Sequence, residues 1–149
     1  MLTNTATKVL ETRANLTKEC AQNYADMFRR RVEQTPDKTA YTFPSYTEPE
    51  EWRSITWAQT KTDVDVLAAG LLSLGLEWEQ RVGLASSTRI EWVLMDLAIA
   101  CAGAATTTIY PTTRAEDEAF ILQDAGCVFL VAEDAEQVAK VLDHEALSE

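Results

Sequence analysis

Few side chains in this chain of 149 residues have a type and spacing suited to catalysis or metal binding. The single histidine, His144, lies between Asp143 and Glu145, a setting that is typical of a solvated surface residue. No group of histidines and cysteines has the spacing of a zinc site. We therefore predict no metal ligand and no catalytic residue within the chain.

The three cysteines, Cys20, Cys101 and Cys127, are far apart and odd in number. Cys101 and Cys127 lie inside apolar runs, which favours buried, reduced thiols over a disulfide framework. Reduced thiols of this kind predict a cytoplasmic protein.

Phosphate binding by a glycine-rich loop is excluded by the glycine spacing. No two of the five glycines are closer than five residues, so neither the dinucleotide fingerprint nor the P-loop pattern occurs. The run from Thr106 to Thr108 has the composition of a phosphate loop, but it lacks glycine and lysine and falls in a predicted strand.

Polar residues follow three predicted strands, as Ser86-Ser87, Tyr110-Pro111 and Glu133-Asp134. A phosphate-accepting receiver domain needs paired acids at such a position, and only the last pair is acidic. Asp134 is better explained as the residue that caps the final helix.

The elements around these positions alternate regularly along the chain. A helix from Thr17 to Pro36 carries an apolar stripe of Tyr24, Met27, Phe28 and Val32, and a hairpin of strands 39–46 and 52–56 follows it.

Three threonine-led capping boxes then predict helix starts, and three glycines predict helix ends. The boxes are Thr56 with Gln59, Thr88 with Glu91 and Thr113 with Glu116, and the glycines are Gly75, Gly103 and Gly126. Apolar strands at 81–86, 105–110 and 127–132 separate these helices, and a last helix runs from Asp134 to about Leu147. The pattern predicts an α/β fold: a parallel sheet of βαβ units with helices on both faces, preceded by an N-terminal helix and a β-hairpin.

The net charge and the hydropathy pattern of the chain argue against nucleic acid and a membrane as binding partners. The formal net charge is −11, and residues 115–149 hold ten acidic residues against one base, Lys140. An acidic surface repels phosphate backbones, so we expect no nucleic-acid partner. The longest apolar window, 92–105, contains Asp96 and is too short for a membrane helix, and residues 1–17 lack a secretory signal.

Short runs between residues 36 and 113 resemble, in order and spacing, the opening of the AMP-forming acyl-CoA synthetases. They lie at 36–40, 55–57, 67–71, 74–75, 81–83, 89–92, 102–104 and 109–113. The run Arg-Ile-Glu-Trp at 89–92 has Ile90 where that family usually has proline. The run Ile-Tyr-Pro-Thr-Thr at 109–113 is similar to the long-chain fatty acyl branch.

The resemblance implies an enzyme that activates a fatty acid with ATP and Mg²⁺ to an acyl-adenylate, then passes the acyl group to coenzyme A. It also implies that Tyr110 and Thr112 approach the coenzyme A nucleotide. A purely structural alternative stays open for these two residues. In it, they belong to the loop that leaves the strand, and Thr113 in the same loop caps the next helix. Arg89 is a further polar candidate, although its position and its neighbour Asp96 suit a surface role.

The family's phosphate loop, adenine-binding tyrosine motif, ribose-binding aspartate and catalytic lysine have no counterpart here. We therefore expect a flexible arm at 1–16 and, at 17–149, a partial N-terminal domain of a ligase that ends before the phosphate loop. Alone, this segment is expected to be inactive, to bind no cofactor and to self-associate. The competing hypothesis is a stand-alone acidic α/β module that binds a partner or a small ligand and has no catalytic activity.

Overall fold

The computed structural model describes residues 20–48 and 50–142, and in them helices and strands alternate as the sequence predicts. The predicted arm at 1–16 and His144 lie outside these residues. The elements are α1 (Tyr24–Gln34), β1 (Thr39–Pro44), β2 (Trp52–Thr56), α2 (Trp57–Ser73), β3 (Arg81–Ala85), α3 (Ile90–Cys101), β4 (Ala105–Ile109), α4 (Ala115–Ala125), β5 (Cys127–Ala132) and α5 (Ala135–Leu142).

Helix α1 begins at Tyr24, so the predicted start at Thr17 is wrong. The side chain of Asn23 caps the helix by accepting the backbone N–H of Asp26 at 2.8 Å, and residues 20–23 are not helical. The predicted apolar stripe is half correct: Phe28 and Val32 are buried, whereas Tyr24 and Met27 at the other end of the stripe are exposed.

Of the three predicted threonine caps, one is confirmed and two are wrong, because α3 and α4 each begin one residue later than a threonine cap would require. Thr56 and Gln59 form both bonds of a capping box at the start of α2. Arg89 and Arg114 occupy the cap positions of α3 and α4, and neither side chain makes a capping hydrogen bond. The predicted caps at Thr88 and Thr113 are therefore wrong.

The last predicted cap is confirmed. The Asp134 carboxylate accepts the backbone N–H of Gln137 at 2.9 Å and so satisfies an amide at the start of α5.

Strands β4, β3 and β5 form a parallel sheet in that order, and β1 pairs with β2 in a separate antiparallel hairpin. Central β3 is buried from Val82 to Ala85. The outer strands are only partly buried, because no described strand pairs with their free edges. The predicted parallel sheet is confirmed.

Helices cover both faces of the sheet, as predicted. On one face α1, α2 and α3 bury a cluster around Phe28, Val64, Val82 and Leu97. On the other face α4 and α5 cover a smaller cluster around Ala85, Ile109 and Leu122. Helix α4 approaches β3 so closely that a Cβ at Gly83 would lie 2.5 Å from Leu122, which explains the glycine in a central strand.

Candidate functional site

The carboxyl ends of the three parallel strands bring most of the sequence-predicted polar residues to one edge of the sheet. Ser86 and Ser87 follow β3, Tyr110 and Thr112 follow β4, and Glu133 follows β5. This edge is where open parallel sheets place their ligand sites, because the loops that leave the strands diverge there.

Glu133 joins the exits of β3 and β5. One carboxylate oxygen accepts the hydroxyl of Ser87 at 2.6 Å, the backbone N–H of Ser87 at 3.0 Å and the hydroxyl of Ser86 at 3.3 Å. These hydrogen bonds, led by those from Ser87, hold the pKa of Glu133 below its usual range. Glu133 is thus an ionised carboxylate that connects the loops after β3 and β5. Its lowered pKa makes it a weak base, which does not suit it to accept a proton in catalysis.

Tyr46 and Glu91 connect the hairpin to the start of α3. The Tyr46 hydroxyl donates to the Glu91 carboxylate at 2.8 Å, and Arg89 Nε donates to the same oxygen at 2.7 Å. The Arg89 guanidinium also lies 4.9 Å from the centre of the Tyr46 ring. The sequence pattern suggested Asp96 as the neighbour of Arg89 and a capping box as the role of Glu91, so the contact between Arg89, Glu91 and Tyr46 was not predicted.

Arg89 and Glu91 each stabilise the charged form of the other. Burial opposes the ionised form of Glu91, but the hydrogen bonds from Arg89 and Tyr46 outweigh it and lower the pKa of Glu91. The hydrogen bond to Glu91 raises the pKa of Arg89, so both groups are charged at neutral pH.

A cleft of about 250 Å³ opens beside these groups. Arg89, Glu91, Ser86 and Glu133 supply its polar rim, and its apolar lining is Leu84, Trp92, Met95, Val131 and Ala132. The polar groups of the rim are hydrogen-bonded to one another: Arg89 pairs with Glu91, and Ser86 donates to Glu133. The cleft therefore has an apolar floor and a rim whose polar groups are already engaged.

The loop after β4 presents Tyr110 and Thr112 to solvent. Both side chains are exposed, and the backbone N–H of Thr113 donates to the Tyr110 carbonyl at 2.9 Å to close a turn. Since Thr113 does not cap α4, the capping explanation of this run fails, and the turn is stabilised in another way.

Lys140 of α5 stabilises this turn by hydrogen bonds to its backbone. Its ammonium donates to the carbonyl oxygens of Pro111 and Thr113, the latter at 3.1 Å, and to the Gln137 side chain at 2.9 Å. In the sequence, Lys140 stands out only as the single base of the acidic segment 115–149. The flanking residues Ala139 and Val141 carry no signal of this role, because lysine side chains usually keep their charged end in water.

Glu118 of α4 is fully buried, and neither carboxylate oxygen has a hydrogen-bond partner in residues 20–48 and 50–142. Burial raises the pKa of Glu118, and the nearby Lys140 opposes that rise only in part.

The cysteines and the acidic side chains of the described residues form no further site. Cys20 is exposed, and Cys101 and Cys127 are half-buried, so the prediction of buried thiols is only partly correct. Within the described part of the chain, no three His, Cys, Asp or Glu side chains are grouped so as to hold a metal ion. None of the described helices is long and apolar enough to cross a membrane.

The fold and the loop edge define an α/β domain whose parallel sheet is covered on both faces and carries its polar groups at the carboxyl ends of the strands. Residues 28–149 match the family model described as AMP-binding enzyme. The match spans most of the chain, and the chain belongs to the AMP-binding enzyme family.

Curated relatives include the long-chain-fatty-acid–CoA ligase FadD15 of Mycobacterium bovis, which is 42% identical over 82 residues. The human mitochondrial medium-chain acyl-CoA ligase ACSF2 is 40% identical over 77 residues. These alignments cover 55% and 52% of this chain but only 14% and 12% of the relatives. The chain thus spans a small part of the length of these enzymes.

Solved structures share the fold. The N-terminal domain of FACL13 from Mycobacterium tuberculosis superposes with a TM-score of 0.73 at 24% identity, over 86% of this chain and 31% of that one. A Mycobacterium tuberculosis fatty acyl CoA synthetase gives a TM-score of 0.72 at 25% identity, over 83% of this chain and 24% of that one. The predicted fold class and the resemblance to acyl-CoA synthetases are confirmed.

Proposed function

We propose that the chain is the N-terminal part of an AMP-forming fatty acid–CoA ligase of the long-chain branch. The observation that carries this proposal is the 42% identity to FadD15, within a family match over residues 28–149. The enzyme would join the fatty acid carboxylate to AMP with release of pyrophosphate, and the thiol of coenzyme A would then displace AMP to give a thioester.

The described residues do not fit ATP phosphates or Mg²⁺. The chain has no glycine-rich loop that could direct backbone N–H groups at phosphates, and the described residues hold no cluster of metal-binding carboxylates. We assign ATP and Mg²⁺ to parts of the enzyme outside this chain, and we derive no catalytic step from the residues present here.

The loop after β4 does fit a nucleotide. Tyr110 offers an exposed aromatic ring that an adenine base can stack on, and Thr112 offers an exposed hydroxyl for a hydrogen bond. We propose that these two residues contact the nucleotide of coenzyme A. The three free cysteines support the cytoplasm as the compartment in which the enzyme works.

A chimaera tests the proposal. Residues 28–149 of this chain would replace the corresponding segment of FadD15, and fatty-acid-dependent pyrophosphate release would be measured beside thermal unfolding. We expect a folded chimaera that releases pyrophosphate, whereas the 149-residue chain alone releases none above a protein-free control. A folded but inactive chimaera would instead favour the stand-alone binding module.

Variants of the loop test the coenzyme A contact in the same chimaera. Tyr110→Ala and Thr112→Val should raise the KM for coenzyme A and leave the KM for ATP unchanged. Phe120→Ala is the matched control, because Phe120 is a similarly exposed aromatic residue on α4. Equal effects of Tyr110→Ala and Phe120→Ala would contradict the assignment.

A further inference from the structure

The Lys140 ammonium holds the loop after β4 through the backbone, not through the side chains that face solvent. All three of its N–H donors are engaged, by the carbonyls of Pro111 and Thr113 and by Gln137. Hydrogen bonds from a charged donor are about twice as strong as neutral ones. The two carbonyls flank Thr112, so one lysine fixes the chain on both sides of a proposed ligand contact.

The surroundings of Lys140 keep its ammonium in this position. Lys140 is half-buried, its partner Gln137 is almost fully buried, and the buried Glu118 carboxyl interacts with its charge from α4. A swing of the ammonium into water would leave the two loop carbonyls without this donor and would move its charge away from Glu118. The contact therefore joins three elements, the loop, α4 and α5, at one side chain.

We propose that Lys140 is a positioning residue that sets the affinity for coenzyme A by ordering residues 110–113. This inference rests on the proposed function, because it requires that Tyr110 and Thr112 contact the nucleotide. An ordered loop binds without first losing conformational freedom, so the loss of order appears as weaker binding of this one substrate. Lys140 itself touches no substrate.

Amide hydrogen exchange of the 149-residue chain tests the ordering of the loop without any ligand. Lys140→Met keeps the aliphatic stem and removes the donors, and it should speed exchange of the Thr113 amide about tenfold or more. Amides of β3 should not change. Lys140→Arg should restore most of the protection, since its guanidinium also presents several donors. Lys61→Met is the matched control, because Lys61 pairs with Asp65 on the exposed surface of α2.

The FadD15 chimaera then tests the consequence for binding. Lys140→Met should raise the KM for coenzyme A about tenfold, with kcat and the KM for ATP within about twofold of the parent chimaera. Lys140→Arg should return the KM for coenzyme A toward the parent value. If the methionine variant does not fold, Lys140→Gln serves in its place with the same expected pattern.

The outcomes separate this inference from the proposed function. Unchanged exchange at Thr113 in Lys140→Met would overturn the inference, whatever the activity of the chimaera. Faster exchange with an unchanged KM for coenzyme A would also overturn it, provided that Tyr110→Ala raises that KM. If Tyr110→Ala and Thr112→Val leave the KM unchanged, the coenzyme A contact itself fails, and the inference fails with it.

Discussion

At the residue scale, three charged side chains join separate elements of the fold. Glu133 ties the exits of β3 and β5, Glu91 ties the hairpin to α3, and Lys140 ties α5 to the loop after β4. Hydrogen bonds lower the pKa of Glu133 and of Glu91, and Lys140 donates three hydrogen bonds. Glu118 differs, because it is buried and has no such partner among the described residues.

Glu118 should make stability fall as pH rises. Its folded pKa is raised by burial, while the unfolded pKa is about 4.3. Below the unfolded pKa both states are protonated and Glu118 has no effect. As pH increases through the raised folded pKa, the unfolded state ionises first and stability is lost. Glu118→Gln should remove this loss, so its free energy of unfolding should exceed that of the parent at pH 8 but not at pH 4.

Urea unfolding across this pH range checks the prediction. The matched control is Glu136→Gln, because Glu136 is exposed on α5, beside the buried Gln137. Among the elements against α4, β4 has no titratable side chain and β5 has only the half-buried Cys127, whereas α5 carries Lys140, whose charge opposes the rise in the pKa of Glu118 in part. The same pH dependence of the unfolding free energy in the parent and in Glu118→Gln would contradict the prediction. It would mean that the Glu118 carboxylate has a partner that stabilises its charged form.

At the element scale, the order and type of elements could be predicted from the sequence, but the ends of the elements could not. Glycines at 75, 103 and 126 have positive φ and end their helices as expected. The threonine boxes are less informative, because Thr88 and Thr113 lie one residue before the true cap positions. A local motif cannot report that Arg89 and Arg114 take those positions, where each pairs with an acid of the first turn.

Thr56 and Thr113 therefore allow the stability contribution of a formed cap to be compared with that of a threonine that caps no helix. Thr56→Ala should destabilise the protein by roughly 0.5–2 kcal/mol, since it removes a complete capping box. Thr113→Ala should cost less than about 0.5 kcal/mol, because its side chain caps nothing. Denaturant unfolding of both variants measures the difference. Equal costs would mean that the box at α2 contributes little.

Helix α3 is the central element of the larger core. Leu97 and Ala98 are buried against the sheet, and Leu97→Ala should destabilise the protein by about 2–5 kcal/mol through the cavity it leaves. Leu72→Ala on α2 is the matched control, because Leu72 is half exposed, and it should cost far less. A loss below about 1 kcal/mol for Leu97→Ala in denaturant unfolding would contradict the assigned core.

At the scale of the whole molecule, the sheet has two edges that no described strand covers, on β4 and on β5. Exposed apolar side chains include Val128 on the edge strand β5 and Phe120 on α4. The sequence predicted strands that are apolar on both faces, but it could not indicate which strand is central. Only the pairing shows that β3 is internal and that its neighbours are edges.

Open edges predict self-association of the 149-residue chain. The net charge of −11 opposes it, but salt screens this repulsion while apolar burial of about 25 cal/mol per Å² persists. Sedimentation at about 0.05 M and about 0.5 M salt should show dimers or larger species that strengthen with salt. Val128→Glu should weaken association more than Val66→Glu, which adds the same charge on α2. A clean monomer in both salts would contradict the prediction.

Acyl-CoA formation by the FadD15 chimaera tests whether this chain is the N-terminal part of a fatty acid–CoA ligase. The product of a long-chain fatty acid, ATP and coenzyme A would be measured by mass spectrometry, with the 149-residue chain alone as the control. We expect acyl-CoA from the chimaera and none from the chain alone. A chimaera that unfolds cooperatively yet forms no acyl-CoA would contradict this expectation.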